Sequence, residues 1–259
     1  MRLVVTRPLR EALDWVERLG KAGLVAQALP LIDILPVVDE AGLQQAWSGL
    51  ARYRAVMFVS ANAVAGFFAA RPPSAPSWPA TRVWATGPGT VAALRRAGLS
   101  TGQIDAPAHD AGQFDSEALW QVVASQVRPD DCVLIVRGGD AQAVQNFQGV
   151  GRDWLAQRIA QAGAQVDFVV SYERAGAQLD AAQQALARAA ATDGSLWLFS
   201  SSEAVRHLRA ALPQQDWSAA RALATHERIA AAAREAGFGQ VRVSRPALPD
   251  VIASIESMT

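Results

Sequence analysis

Short apolar runs alternate along the chain with stretches that repeat apolar residues at helical spacing. Leu3 to Val5 and Val56 to Val59 are continuous apolar runs, which are typical of buried strands. Glu11 to Ala22 instead carries apolar residues three or four positions apart, and Gly23 follows where helices commonly end. This alternation of strand and helix predicts an α/β fold with parallel sheets and helices on both faces.

The same alternation continues through the rest of the chain. Further strands are predicted at Val25 to Ile34, Val83 to Ala85 and Cys132 to Val136, and further helices at Asn62 to Phe68, Thr90 to Ala97 and Ser116 to Gln126. The proline-rich segment from Arg71 to Pro79 is predicted to be a stiff loop.

Three motifs occur twice, in the same order and at offsets of 139 to 141 residues. The pairs are Glu17 to Gly23 with Gln157 to Gly163, Phe58 to Val64 with Phe199 to Val205, and Ala85 to Gly98 with Ala224 to Gly237. Each match alone is weak, but three in order at nearly one offset predict two homologous halves.

Length and composition fit two folded cores. The 259 residues allow two cores of about 130 residues each, and a hydrophobic fraction of 51% excludes general disorder. The 24 basic and 24 acidic residues balance, so bulk charge gives no reason to expect binding to nucleic acid or to an anionic membrane. With no exposed apolar stripe evident in the sequence, a monomer is expected.

The single cysteine, Cys132, excludes an intramolecular disulfide and any metal site built from several cysteines, and its apolar surroundings predict a buried strand position. The apolar run at the N-terminus is far too short for a signal peptide, and no apolar stretch reaches about 18 residues. A cytoplasmic protein is therefore expected.

Polar residues follow the predicted strands and open the helices after them. They are Thr6-Arg7, Ser60-Ala61-Asn62, Thr86-Gly87, Arg137-Gly138-Gly139, Ser200-Ser201-Ser202 and Thr225-His226. Ligands of parallel sheets bind beyond the carboxyl ends of strands, and helix N-termini offer unpaired N–H groups to anions. Any one of these residues can simply cap its helix. The set as a whole predicts a site for a polyanionic ligand.

Several other motifs in the chain are typical of different functions. Gly87 to Ala92 matches the dinucleotide pattern G-x-G-x-x-A, with Asp105 near the expected acidic distance, but it does not follow the first strand of its half. A nucleotide-dependent oxidoreductase is therefore less favoured than either of the two functions given below. The chain has neither a P-loop nor a G-x-S-x-G motif, and His109, His207 and His226 lack metal-ligand spacing, so no metal is expected.

Taken in order, the motifs resemble those of the uroporphyrinogen-III synthases over nearly the whole chain. They are Val5 to Pro8, Leu19 to Gly23, Leu29 to Ile34, Phe58 to Val64, Thr86 to Thr90, Val136 to Gly138, Val169 to Arg174 and Phe199 to Ser201. One departure is the stretch from Ala141 to Arg152, which is longer than the compact connection of the family.

The resemblance implies two flavodoxin-like or Rossmann-like three-layer domains joined by a two-stranded hinge. The first domain is expected to combine residues 1–35 with 172–259, and the second to comprise residues 36–171. The connections are expected near Ile34 to Val37 and Val169 to Ser171. Two short connecting strands allow open and closed forms.

The resemblance also implies a lyase that needs no cofactor. Its substrate would be hydroxymethylbilane, a linear tetrapyrrole with acetate and propionate arms, and its product uroporphyrinogen III, formed by loss of water and closure with the last ring inverted. The enzyme would mainly position the chain, assisted by a weak general acid. A transient contact with the preceding enzyme of the pathway is the protein partner that the resemblance suggests, and no nucleic acid or membrane is expected.

Tyr172 aligns with a tyrosine of the family and is the candidate acid, although an aromatic packing role stays open. The candidate substrate-binding residues are Arg7, Ser60, Ala61, Asn62, Gly87, Thr90, Arg137, Gly138, Ser200, Ser201, Thr225 and His226. Thr90 can either contact substrate or cap the helix after it, and Arg7 and Arg137 can bind carboxylates or form salt bridges at helix ends. The alternative function is a non-catalytic ligand-binding or regulatory module of the same fold.

Overall fold

Two β-sheets organise the computed structural model, one in each of two units of the chain. The first unit comprises residues 1–33 and 175–259, and the second comprises residues 34–174. The structure describes residues 1–75, 77–108, 115–140 and 153–258. His109 and the long stretch from Ala141 to Arg152 lie outside the described residues.

The helices and strands are numbered in chain order. Up to the end of the second unit they are β1 Leu3–Val5, α1 Leu9–Lys21, β2 Ala26–Ala28, β3 Ile32–Leu35, α2 Ala41–Ser48, β4 Ala55–Phe58, α3 Ala61–Ala69, β5 Arg82–Ala85, α4 Pro88–Arg96, β6 Ile104–Asp105, α5 Ser116–Val123, β7 Cys132–Asp140, α6 Asp153–Gln161 and β8 Gln165–Gly176. The remainder are α7 Ala181–Ala190, β9 Leu196–Phe199, α8 Ser202–Ala211, β10 Arg221–Ala224, α9 Glu227–Glu235, β11 Gln240–Val243 and α10 Leu248–Glu256.

The chain passes between the units within β3 and within β8, which are neighbouring strands of the second sheet. A two-stranded connection therefore joins the units. The pairs β1–β2, β1–β9, β9–β10, β10–β11, β4–β5, β4–β7, β5–β6 and β7–β8 are all parallel, which confirms the predicted α/β class with parallel sheets.

The first unit has the strand order β11-β10-β9-β1-β2. One face of this sheet packs on α1 and α10, where Trp15, Leu19 and Val251 are buried against β1 and β9. The side chains of Trp197 and Phe199 stack on the other face, with ring centroids 5.9 Å apart. Both faces of the strands are covered, which explains their continuous apolar sequence.

The second unit has the strand order β3-β8-β7-β4-β5-β6. Helices α2, α3 and α4 bury Trp47, Phe67 and Leu94 against one face of the sheet. On the opposite face, α5 and α6 bury Leu119 and Leu155. No helix among the described residues is long and apolar enough to cross a membrane.

Two predicted strands differ from those observed. The expected strand from Val25 to Ile34 divides into β2 and β3, which belong to different sheets. The expected strand from Cys132 to Val136 continues to Asp140, because its last residues pair with β8 rather than opening a helix. Local sequence gives no indication of this extension, which arises from a tertiary partner.

The repeated motifs occupy equivalent places in the two sheets. Ser60 and Ser201 both cap the helix that follows a buried strand. Gly98 and Gly237 both follow a helix with positive φ angles, 93° and 96°, which favour glycine.

Gly239→Ala is expected to lower the free energy of unfolding by about 1–3 kcal/mol. A Cβ at position 239 would lie 1.9 Å from the Ser218 carbonyl oxygen, a backbone atom that cannot rotate away. Gly20→Ala is the matched control, because Gly20 lies inside α1 with open space around it. The control should raise stability by about 0.5–1 kcal/mol. Urea denaturation measures both, and equal shifts would contradict the proposed clash.

Candidate functional site

Two hydroxyl groups meet at the N-terminal end of α3. Ser60 caps this helix, and its Oγ accepts a hydrogen bond of 3.1 Å from the Ala63 N–H. The same Oγ lies 3.2 Å from the Tyr172 Oη, and either hydroxyl can donate. Tyr172 is buried on β8, with 5% of its surface exposed. The predicted acid therefore has a polar partner that belongs to the predicted site.

The close packing of α3 on β8 fixes the distance between these hydroxyls. A Cβ at Gly66 in α3 would lie 2.0 Å from the Ser171 carbonyl oxygen, so only glycine permits this approach. The Ser171 hydroxyl also donates a hydrogen bond of 3.1 Å to the Ala63 carbonyl. Helix and strand are thereby held together one residue away from Tyr172.

Gly138 makes room for the tyrosine ring. It pairs with Tyr172 across a register shift between Arg137 and Gly138, and a Cβ at position 138 would lie 2.5–2.8 Å from three atoms of the Tyr172 side chain. The ring occupies the space that any other residue at 138 would need. Gly138 thus positions Tyr172 through its missing side chain.

The prediction that Arg137 and Gly138 end a strand and open a helix was wrong. Both lie inside β7, which continues past the level at which β4 ends. Tyr172 likewise lies within β8 and does not follow its end. The cause is the extended β7–β8 pairing, which carries these residues beyond the neighbouring strands.

Arg137 is buried, with 8% of its surface exposed. Its guanidinium carbon lies 4.5 Å from the ring centroid of Phe168, which is itself 43% exposed. A cation over an aromatic face is attracted by the negative face of the ring.

The remaining predicted residues of the second unit lie at two helix starts. Ala61 and Asn62 are the first two residues of α3 and are half-buried. Gly87 caps α4, and Thr90 is buried within the first turn of that helix. Of the two roles considered for Thr90, capping is excluded, because the helix begins at Pro88, two residues earlier.

In the first unit, three predicted residues line one small cavity. Arg7, Ser200 and Thr225 are among the residues that line this cavity, at the ends of β1, β9 and β10. Its volume is about 10 Å³, close to the volume that one water molecule needs. Ser201 and His226 cap α8 and α9 by accepting hydrogen bonds from backbone N–H groups, Ser201 through Oγ and His226 through Nδ1.

Arg7 forms a salt bridge at a helix end, which was the alternative to binding a ligand carboxylate. Its Nη1 lies 3.3 Å from a carboxylate oxygen of Glu11, one helical turn away, and its guanidinium carbon lies 4.1 Å from the ring centroid of Trp15. Burial lowers the pKa of the Arg7 guanidinium, and the Glu11 carboxylate opposes that shift. A ligand carboxylate at Arg7 would have to share it with Glu11.

Sequence reasoning missed Gly66, Ser171 and Phe168. An isolated glycine inside a helical pattern commonly has a packing reason, so Gly66 carried a usable indication. Nothing in the sequence indicates that Phe168 lies against Arg137.

Among the residues that the structure describes, no three His, Cys, Asp or Glu side chains group closely enough to hold a metal ion.

Comparison with known proteins gives one family. Residues 14–253 match the family model of uroporphyrinogen-III synthase HemD. The chain is 28% identical to the uroporphyrinogen-III synthase of Salmonella typhimurium, over 97% of this chain and 98% of that protein. It is also 28% identical to the enzyme of that name from Escherichia coli, over the same shares of both chains.

The fold agrees with a solved structure. Uroporphyrinogen-III synthetase from Helicobacter pylori superimposes with a TM-score of 0.59 and 15% sequence identity, covering 100% of both chains. The two-unit α/β fold and the full-length sequence matches define a class, the two-domain tetrapyrrole-synthesis proteins. This chain belongs to the uroporphyrinogen-III synthase family.

Gly138→Ala is expected to displace the Tyr172 ring and to lower the free energy of unfolding by about 1–3 kcal/mol. Gly89→Ala in α4 is the control, because a Cβ there meets no atom within 4 Å. Crystal structures of the two variants would measure the Ser60–Tyr172 distance. A Gly138→Ala variant that kept both that distance and its stability would contradict the positioning role of Gly138.

Proposed function

We propose that this chain is a lyase that dehydrates and cyclises hydroxymethylbilane, inverting ring D, to give uroporphyrinogen III. The proposal is supported by family membership over residues 14–253. The observation that carries the chemistry is the buried hydroxyl pair of Ser60 and Tyr172 at the start of α3.

The first chemical step removes the terminal hydroxyl of the substrate. The adjacent pyrrole nitrogen donates electrons as the carbon–oxygen bond breaks, and Tyr172 supplies the proton that turns the departing oxygen into water. The Ser60 hydroxyl then donates to the Tyr172 oxygen, and the positive end of α3 also favours the negative charge left there. Both effects ease loss of the proton.

The second step is attack by the last pyrrole ring, through a spiro intermediate, and closure with that ring inverted. Closure releases a proton from carbon, and this proton restores the Tyr172 phenol. No electrons are gained or lost overall, so the reaction requires no redox cofactor. The protein mainly positions a flexible chain so that closure gives the inverted isomer.

The acetate and propionate arms require local donors, because the protein has no net charge. We assign their recognition to residues at helix starts and to arginines in each unit, and to the β7 backbone at Gly138. These are Arg7, Ser200, Ser201, Thr225 and His226 in the first unit, and Ser60, Ala61, Asn62, Gly87, Thr90, Arg137 and Gly138 in the second. Since hydroxymethylbilane ionises readily without a catalyst, transient contact with the enzyme that produces it is part of the proposal.

Incubation of the purified protein with freshly made hydroxymethylbilane tests the function. Separation of the product isomers by chromatography should show the type III isomer in place of the spontaneous type I ring. Formation of type I alone, at the rate found without protein, would instead indicate the non-catalytic module.

Tyr172→Phe is expected to lower turnover by about two to four orders of magnitude, the typical contribution of one positioned general acid. The ring and its packing remain, so folding should be little affected. Tyr53→Phe is the matched control, because the Tyr53 hydroxyl lies 3.0 Å from Asp167 in the same unit and has no place in the proposed chemistry. Initial rates of type III formation measure both, and near-normal turnover of Tyr172→Phe would return Tyr172 to a packing role.

A further inference from the structure

Arg137 is a buried cation that pairs with no anion among the described residues. Only 8% of its surface is exposed, and among the described residues no carboxylate or hydrogen-bond acceptor contacts its guanidinium. Its guanidinium carbon lies over the Phe168 ring, 4.5 Å from the ring centroid. Arg7 and Arg52, whose guanidinium carbons lie 4.1 and 4.7 Å from an aromatic ring centroid, each have a carboxylate partner as well, Glu11 and Asp167.

A charge removed from water without an oppositely charged partner destabilises the folded protein. A ring face compensates only part of the lost hydration of the guanidinium. A small part of the Arg137 surface, 8%, remains exposed to solvent. This combination is typical of a residue kept for a ligand and not for the stability of the free protein.

Arg137 and Tyr172 lie on opposite faces of the β7–β8 pair. Val136 is buried with Tyr172 on the face covered by α3, whereas Ile135 is buried with residues of α5 and α6 on the other face. Because side chains alternate along a strand, Arg137 leaves β7 on the same face as Ile135. Phe168 pairs with Ile135 in the parallel register and shares that face.

We propose that Arg137 and Phe168 form a separate carboxylate-binding site for the tetrapyrrole, on the α6 face of the β7–β8 extension. The inference rests on the proposed function. The guanidinium lies against the Phe168 ring and keeps its N–H groups for a bidentate bond to a carboxylate. The exposed part of Phe168 offers apolar surface to the pyrrole that carries that arm.

This assignment makes Arg137 a binding residue that contributes to affinity and not to the chemical step. Arg137→Met keeps most of the side-chain volume and its contact with Phe168 but removes the charge. We expect the KM for hydroxymethylbilane to rise about 10- to 100-fold with kcat within about twofold of the parent. The Tm should not fall, because the variant no longer buries a charge.

Arg158→Met is the matched control. Arg158 also lies over an aromatic ring of the second unit, 5.2 Å from the centroid of Trp154, but it is exposed and hydrogen-bonded to Gln161. Its KM and Tm should stay near the parent values. An unchanged KM in Arg137→Met would overturn the proposal, as would a lowered Tm with kcat and KM falling together.

A binding measurement separates this inference from the lyase assignment. Uroporphyrin I, a stable ring with the same acetate and propionate arms, should raise the Tm of the parent and of Arg158→Met more than that of Arg137→Met. This comparison holds whether or not the parent forms the type III isomer. If inorganic phosphate at equal ionic strength gave an equally large Arg137-dependent shift, the site would bind small free anions, and the tetrapyrrole assignment would be wrong.

Discussion

The contact between the backbone of α3 and the backbone of β8 controls the geometry of the candidate site. Gly66 has no side chain, so the helix approaches the Ser171 carbonyl more closely than any other residue would allow. That approach sets the position of Ser60 at the start of the helix and of Tyr172 on the strand. Two rigid elements thus hold two hydroxyls 3.2 Å apart, where loops would hold them less firmly.

The repeat explains why this pair occurs in one unit. At the offset of 140 residues, Ser171 and Tyr172 correspond to Leu31 and Ile32 in the first unit. Ser201 caps α8 as Ser60 caps α3, but the position of the tyrosine holds an apolar side chain. In the first unit, the start of α8 therefore has the capping serine but no tyrosine hydroxyl at the corresponding strand position.

The helix contact itself has also diverged between the repeats. At an offset of 141 residues, Gly66 corresponds to His207, whose Nδ1 lies 2.8 Å from the Leu31 carbonyl oxygen. A glycine also lies beside this ring, since a Cβ at Gly176, the last residue of β8, would lie 3.2 Å from the His207 side chain. In the second unit the helix contacts the chain through Gly66, which has no side chain. In the first unit the corresponding helix makes its contact through the His207 imidazole.

Sequence patterns predicted what depends on neighbours along the chain. Buried strands, helix starts and the serine caps follow from local periodicity and capping chemistry, and the resemblance pointed to Tyr172. The extension of β7, the pairing of Gly138 with Tyr172 and the contact of Arg137 with Phe168 depend on partners about 30 residues away. Such contacts leave no local pattern, which is why the prediction that Arg137 opens a helix was wrong.

A double-mutant cycle on Ser60→Ala and Tyr172→Phe tests the central claim most directly, since it measures whether the two hydroxyls act together in turnover. The account predicts that loss of the Tyr172 hydroxyl lowers kcat much less when Ser60 is already alanine, with a coupling of about 0.5–3 kcal/mol. An equal fold-loss in both backgrounds would show that the two hydroxyls act independently and would contradict the account.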